Sequence, residues 1–205
     1  VLDEKGFDLW ADGYDKSVQL SDEDNRYPFA GYKELLNRIF RRVLEKDSAR
    51  VLDMGFGTGV LTTRLYQQGC SVWGQDFSEN MCRAAQAKMP AAHLYQGDFS
   101  QGIAAPLRQQ KYDFIIATYS LHHLDYGQKT ALIRELLALL ERGGKLLMGD
   151  VAFADQAALE RCRLESGDLW DEDEFYFVYE QIRQDFPAIR FEQLSSCAGL
   201  FELEH

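Results

Sequence analysis

The chain is short of positive charge, of any cysteine pattern and of long apolar runs, and each shortage removes a class of function. Lys and Arg number 22 against 33 Asp and Glu, a net charge of −11 over 205 residues. No basic cluster is longer than Arg41-Arg42. A surface of that sign repels phosphate backbones and anionic lipid, so neither nucleic acid nor a membrane is expected as a partner. The four cysteines, Cys70, Cys82, Cys162 and Cys197, lie far apart, with no C-x-x-C and no zinc-type Cys/His spacing. They read as free thiols of a reducing compartment, and no metal is expected. No apolar run approaches the roughly 18–20 residues of a membrane span, and Val1-Leu2-Asp3-Glu4-Lys5 is no signal peptide, so a cytoplasmic protein is expected. There are no repeats of solenoid period and no low-complexity linkers.

What is present is enough apolar side chain for a core, 46% of the residues, in a length that suits one domain. The chain divides into an N-terminal lid and helix (1–48), a core (49–151) and a variable helical segment with an edge hairpin (152–202). Leu203-Glu204-His205 looks like the start of an expression tag and is set aside.

Periodicity predicts an amphipathic helix over Tyr32 to Leu44, after Pro28. Arg50 to Asp53 is a short apolar run ending in glycines, and Val60 to Gln68 returns to a helical pattern stopped by Gly69. The unit recurs: strand Ser71 to Asp76, a helix capped by Ser78 running to about Lys88, strand Ala92 to Gln96, strand Tyr112 to Thr118, helix Lys129 to Leu140 ended by Gly143-Gly144, and strand Lys145 to Met148. Strands alternating with helices imply a parallel sheet with helices on both faces. Gln156 to Phe186 reads as helical and acidic, and Ile189 to Ser195 with Leu200 to Leu203 as an antiparallel hairpin joined across Cys197-Ala198-Gly199. The fold class is therefore α/β, a Rossmann-like doubly wound sheet of seven strands with a C-terminal antiparallel hairpin.

Three features carry chemistry. Gly55-Phe56-Gly57-Thr58-Gly59 follows the first strand and opens a helix, the context of a nucleotide-binding loop in which glycine lets the main chain approach a ligand. Its G-x-G-x-G spacing departs from the dinucleotide fingerprint, which disfavours an NAD(P)-dependent oxidoreductase. Asp76, ending the second strand, lies 21 positions after Gly55, near the interval of about 20 at which a carboxylate accepts ribose hydroxyls. Gly97-Asp98-Phe99 then ends the third strand with a carboxylate for an exocyclic amine and a backbone N–H for a ring nitrogen. Together these address an adenosine.

Residues 51–63 and 74–81 resemble the class I S-adenosylmethionine (AdoMet) methyltransferases, in the small bacterial branch with an "LDxGxGTGxLT" first motif and a "GxDxSxxM" second motif. The similarity continues through Tyr119-Ser120-Leu121-His122-His123-Leu124 and Leu140 to Lys145, and Phe7 to Asp15 is similar to the branch's "WAxxYD" entry segment. The resemblance implies AdoMet as cofactor and S-adenosylhomocysteine (AdoHcy) as product. It places Asp53, Gly55, Phe56, Gly57, Thr58 and Gly59 around the methionine part, with Thr118 offering its carbonyl to the ammonium and Tyr14 a methionine-end contact. Asp76 would hold the ribose, Phe77 would pack on the adenine face, and Asp98 with Phe99 would read its edge. Phe56, where a small residue is frequent, is expected to narrow the space beside the sulfonium.

His122, His123 and Tyr119 are the candidate catalytic residues, the imidazoles because they exchange a proton near neutral pH. No Asn/Asp-Pro-Pro-Tyr follows the fourth strand, where Ala117-Thr118-Tyr119-Ser120 stands, which disfavours amide and adenine-amino methylation. The acidic stretch Asp168 to Glu174 reads as a solvated face. A small-molecule acceptor is expected, selected by the lid, the loop Tyr119 to Asp125 and the aromatic segment 153–180, in a monomer or homodimer. The competing readings are a non-catalytic AdoMet- or AdoHcy-binding protein, which would lack an acceptor pocket lined by Tyr14, Tyr119 and His123, and an RNA methyltransferase.

Overall fold

A computed structural model describes residues 26–205. The part of the expected lid before residue 26, Tyr14 included, lies outside the described residues.

The first helix, α1 (Tyr32–Val43), turns Leu35, Leu36, Ile39, Phe40 and Val43 inward at helical spacing. The chain then runs β1 (Arg50–Met54), α2 (Val60–Gln67), β2 (Ser71–Asp76), α3 (Glu79–Lys88), β3 (His93–Gln96) and β4 (Tyr112–Thr118). It continues through α4 (Tyr126–Leu137), β5 (Leu140–Phe153), α5 (Gln156–Ser166), β6 (Phe177–Val178), α6 (Tyr179–Asp185), β7 (Arg190–Gln193) and β8 (Ala198–Glu204). The sheet order is β3-β2-β1-β4-β5-β8-β7, with the two-residue β6 pairing the far end of β5. Strands β1 to β5 pair in parallel, and β8 runs antiparallel to both β5 and β7.

Alternation along the central strands divides the core into two layers, because successive side chains of a strand face opposite ways. Leu52, Met54, Ile115 and Leu146 join Leu132, Ile133 and Leu136 of α4 and Ile182 of α6 on one face. Val51, Phe114, Ile116 and Leu147 join α1, Leu61 and Leu65 of α2 and Ala85 of α3 on the other. Strands covered on both faces read as nearly continuous apolar runs, which is why Tyr112 to Thr118 stood out in the sequence.

The structure corrects several boundaries. Helix α4 starts at Tyr126, three residues before Lys129, because Asp125 and Gln128 form a capping box. It ends at Leu137, and Leu140 already pairs with Tyr112, so Gly143-Gly144 lies within β5 at a register shift. Strand β5 runs well past Met148, to Phe153. The stretch Gln156 to Phe186 is two helices separated by an irregular segment and β6. Ala198 and Gly199 belong to β8, and Leu203, set aside with the tail, is 4% exposed and pairs with Leu146.

Leu203→Ala should therefore act as a core truncation and lower the unfolding free energy by about 2–5 kcal/mol. Denaturant melts of the two proteins check this; an unchanged midpoint would remove Leu203 from the core.

Candidate active site

Parallel packing brings the carboxyl ends of β1, β2, β3 and β4 to one edge of the sheet, where open α/β sheets bind ligands. Asp53, Asp76, Asp98 and Thr118 all stand there. The loop after β1 makes three left-handed turns, with φ of 80°, 55° and 75° at Gly55, Gly57 and Gly59, which L side chains adopt only with strain. At Gly55 there is a second constraint: a Cβ would lie 2.4 Å from Cβ of Ser120. At Gly57 a Cβ would meet nothing within 4 Å, so the main chain there faces open space.

Asp76 is 4% exposed. One of its oxygens accepts the Gly57 N–H at 2.8 Å and the other the Ser78 N–H at 2.9 Å, which fixes the carboxylate plane against the loop. Ser78 caps α3 by accepting the Met81 N–H, as its position in the sequence predicts. Asp98 accepts the Ser100 N–H at 2.8 Å through one oxygen. Phe77, 67% exposed, faces a cleft of about 670 Å3 shared with Asp98, Phe99, His123 and Leu124. A second cleft of about 310 Å3 is lined by Asp53, the loop from Gly55 to Thr58, Thr118 and Tyr119, among others.

Asp53 is 1% exposed, and only its Oδ2 is occupied, by the Thr62 hydroxyl. Its Oδ1 has no hydrogen-bond partner among the described residues. Burial, with a smaller push from the Asp76 charge, raises its pKa to about 7 despite the Thr62 hydrogen bond. An orphaned buried acceptor on the wall of a cleft is a place for a ligand's donor.

The Phe56 ring packs against Gly74 of β2, where a Cβ would come within 2.6 Å of Phe56 Cδ1, and the residue is 5% exposed. The ring is accommodated there because position 74 has no side chain, and Phe56 still lines the second cleft.

The loop after β4 begins with Tyr119 at φ 49°, a strained value for a non-glycine residue. Its ring packs on Phe29 and Tyr32 at 5.4 and 5.1 Å. Ser120 donates to the Met54 carbonyl. The loop is then anchored by Asp150 of β5, which accepts the Leu121 N–H at 3.0 Å and lies 2.7 Å from His122 Nδ1. Burial pulls the His122 pKa down, but Asp150 and Glu174 outweigh it and the net shift is upward. In Asp150 burial pushes up, and His122, the Val151 N–H and Lys129 together more than offset it, so the carboxyl is held below its ordinary value. His123 is exposed, and burial of part of its ring together with its neighbour His122 lowers its pKa.

Sequence reasoning missed Asp150, Glu174 and Lys129. Glu174 Oε1 lies 3.5 Å from His122 Nε2, and Lys129, 2% exposed, donates to the carbonyls of Leu124 and Phe175. Asp150 carried one signal, a carboxylate at the end of a central strand. Glu174 carried none, because it lies inside an acidic run. The aromatic segment is also partly core: Phe177 packs on Phe201, Tyr179 on Phe191, and Trp170 on Tyr27, which leaves Phe175 as its large exposed ring. Tyr119 and His123 line different clefts, and Tyr14 lies outside the described residues.

The methyltransferase-domain family matches residues 51–144, the stretch from β1 to the start of β5 that carries this site. An uncharacterized methyltransferase of Geobacillus sp. (strain WCH70) is 39% identical over 156 residues, 76% of this chain and 70% of the relative. The chain belongs to the methyltransferase-domain family. An uncharacterized methyltransferase of Anoxybacillus flavithermus is 38% identical over 75% of this chain and 69% of its own length. The fold is shared with magnesium protoporphyrin IX methyltransferase of Synechocystis, solved with bound SAH, at TM-score 0.71 and 22% identity over 98% of this chain and 95% of that one. It is shared equally with an S-adenosylmethionine-dependent methyltransferase of Clostridium acetobutylicum, at TM-score 0.65 and 16% identity over 92% and 97%. No helix among the described residues is long and apolar enough to cross a membrane.

The raised pKa of Asp53 sets a direction for stability. A carboxyl whose folded pKa lies above its unfolded value stabilises the fold fully below the unfolded value and loses that contribution as pH rises through the folded one, here between about 4 and 7. Asp53→Asn should flatten the fall in unfolding free energy over that window, leaving the variant a few kcal/mol more stable at pH 8 relative to wild type than at pH 4. Denaturant melts at both pH values measure the difference; parallel pH profiles would contradict it.

Proposed function

We propose that the protein transfers a methyl group from AdoMet to a small-molecule acceptor and releases AdoHcy. The observation that carries this reading is the fit of the strand edge to an adenosyl sulfonium in two clefts, one lined by the glycine loop and the other by residues at the ends of β2 and β3. Phe77, Asp98 and Phe99 give the larger cleft an aromatic platform, a carboxylate and a backbone N–H for adenine. Asp76, its plane fixed by Gly57 and Ser78, presents its remaining lone pairs to the ribose hydroxyls. The orphaned Oδ1 of Asp53 and the open main chain at Gly57 receive the methionine end, with Thr118 beside it.

Bound AdoMet supplies an activated methyl group, so the chain's task is to align acceptor, methyl carbon and sulfur and to exclude water. Residues of the glycine loop and β4 fix the donor. Tyr119 closes the methionine cleft with Phe29 and Tyr32, and His123, which lines the larger cleft, is the candidate to take the proton from an acceptor, with His122 behind it held by Asp150. The net charge of −11 favours a small acceptor over a polyanion. A non-catalytic AdoMet-binding protein is the second reading, because Tyr119 and His123 line separate clefts.

Calorimetric titration of the ligand-stripped protein with AdoMet and AdoHcy tests the cofactor, followed by transfer of a labelled methyl group to thiol, amine and phenol acceptors. Binding without transfer to any acceptor supports the second reading, and absence of binding overturns both. Asp76→Ala should weaken AdoHcy about 100-fold, since two hydroxyls lose a charged acceptor at about 1.5–3 kcal/mol for such a bond. Asp76→Asn, which keeps a neutral acceptor, should lose less; unchanged affinity in Asp76→Ala would displace the ribose site.

A further inference from the structure

We propose that His122, His123 and Glu174 form a binding site for one divalent transition-metal ion of the zinc type. One ligand atom from each of the three lies within 4.8 Å of the others, and His122 Nε2 and Glu174 Oε1 are 3.5 Å apart. Two neutral imidazoles and one carboxylate form a donor set that zinc and its neighbours take, with positions left for water or a ligand. Magnesium and calcium prefer all-oxygen sites.

The surroundings distinguish this from a chance meeting of polar side chains. Metal-binding histidines usually donate their other ring N–H to a carboxylate, which fixes the ring and its tautomer. His122 is placed for this: Nδ1 lies 2.7 Å from Oδ1 of Asp150, itself 1% exposed, so with a proton on Nδ1 the nitrogen left to bind an ion is Nε2, 3.5 Å from Glu174. Glu174 is also oriented from behind, its Oε2 accepting the Tyr176 hydroxyl at 2.8 Å and leaving Oε1 toward the imidazoles. The segment that carries Glu174 is tied to the same loop, because the Phe175 N–H donates to the His122 carbonyl at 2.8 Å and Lys129 bridges the Leu124 and Phe175 carbonyls. His123 stacks edgewise on His122 with ring centroids 4.2 Å apart.

The local charge has the right sign. Asp150 and Glu174 face the imidazoles with Asp171 farther out, against the ammonium of Lys129 among the described residues. Nothing in the spacing of the sequence shows the set, since two ligands are adjacent and the third lies 51 residues beyond them. His123 also lines the larger cleft, so the ion's open positions would stand at the rim of the proposed adenosine site, where an ionisable acceptor oxygen or sulfur could reach them. Metal binding itself does not depend on the methyl-transfer reading.

The full chain, stripped with chelator and dialysed, should bind one equivalent of Zn2+ in calorimetry at micromolar concentration or below, and Mg2+ far more weakly. His123→Ala and Glu174→Gln should each weaken Zn2+ at least tenfold while keeping the wild-type circular dichroism and melting midpoint within a few degrees. The double variant Cys162→Ser, Cys197→Ser should bind as wild type. Co2+ should give visible bands of a nitrogen and oxygen site with no thiolate charge-transfer band. No stoichiometric Zn2+ binding, equal binding in the His123 and Glu174 variants, loss in the cysteine variant, or preference for Mg2+ would each overturn the assignment. AdoHcy titration of the metal-free wild type separates the two proposals, since its failure leaves the Zn2+ result standing and the reverse also holds.

Discussion

The bond between the Asp76 carboxylate and the Gly57 amide is the interaction on which the rest of the strand edge depends. It joins the end of β2 to the middle of the loop after β1, and with the Ser78 amide it holds both oxygens of a nearly buried anion. The loop is thereby fixed in its left-handed turns, and Gly55 comes against Ser120, a contact that no side chain at position 55 would permit. Ser120 donates to the Met54 carbonyl, and the next residue donates its amide to Asp150. A continuous line of contacts so runs from β2 through the loops after β1 and β4 to β5.

Three aspartates at this edge are buried to within 4% exposure, and they meet the cost of burying a charge in different ways. Asp76 is satisfied by two backbone amides. Asp150 holds a histidine and accepts main-chain N–H groups, so its charge is balanced inside the fold and its carboxyl stays ionised. Among the described residues Asp53 has one hydroxyl as partner and no cation, and burial raises its pKa to about 7. The first two read as parts of the frame. The third is the incomplete one, with one oxygen unpartnered among the described residues, and the residue lines a cleft.

The order of strands and helices was legible because the central strands are covered on both faces and the glycines fall at their ends. The common edge of Asp53, Asp76 and Asp98 was legible for the same reason, since topology alone brings them together once three successive parallel strands are recognised. Boundaries failed where local chemistry overrides periodicity. A capping box moved the start of α4 forward to Tyr126, and a register shift absorbed Gly143-Gly144 into β5, although two glycines there read as a helix stop. The seat of the Phe56 ring was not legible, because it is set by Gly74, on the next strand, which no pattern within the loop reveals.

Glu174 was illegible for a different reason, since within Asp171-Glu172-Asp173-Glu174 nothing in the sequence separates one carboxylate from its neighbours. The fold does so through pairing. Strand β6 joins β5 at Ala152 and Phe153 just after this run, which fixes where the run returns to the sheet. The Phe175 amide on the His122 carbonyl then sets its final register. Glu172 pairs with Arg163 at the surface, and Asp171 caps its own turn by accepting the Asp173 N–H. Glu174 alone of the four is turned to the imidazoles, so the acidic run is a solvated face at its start and part of the candidate site at its end.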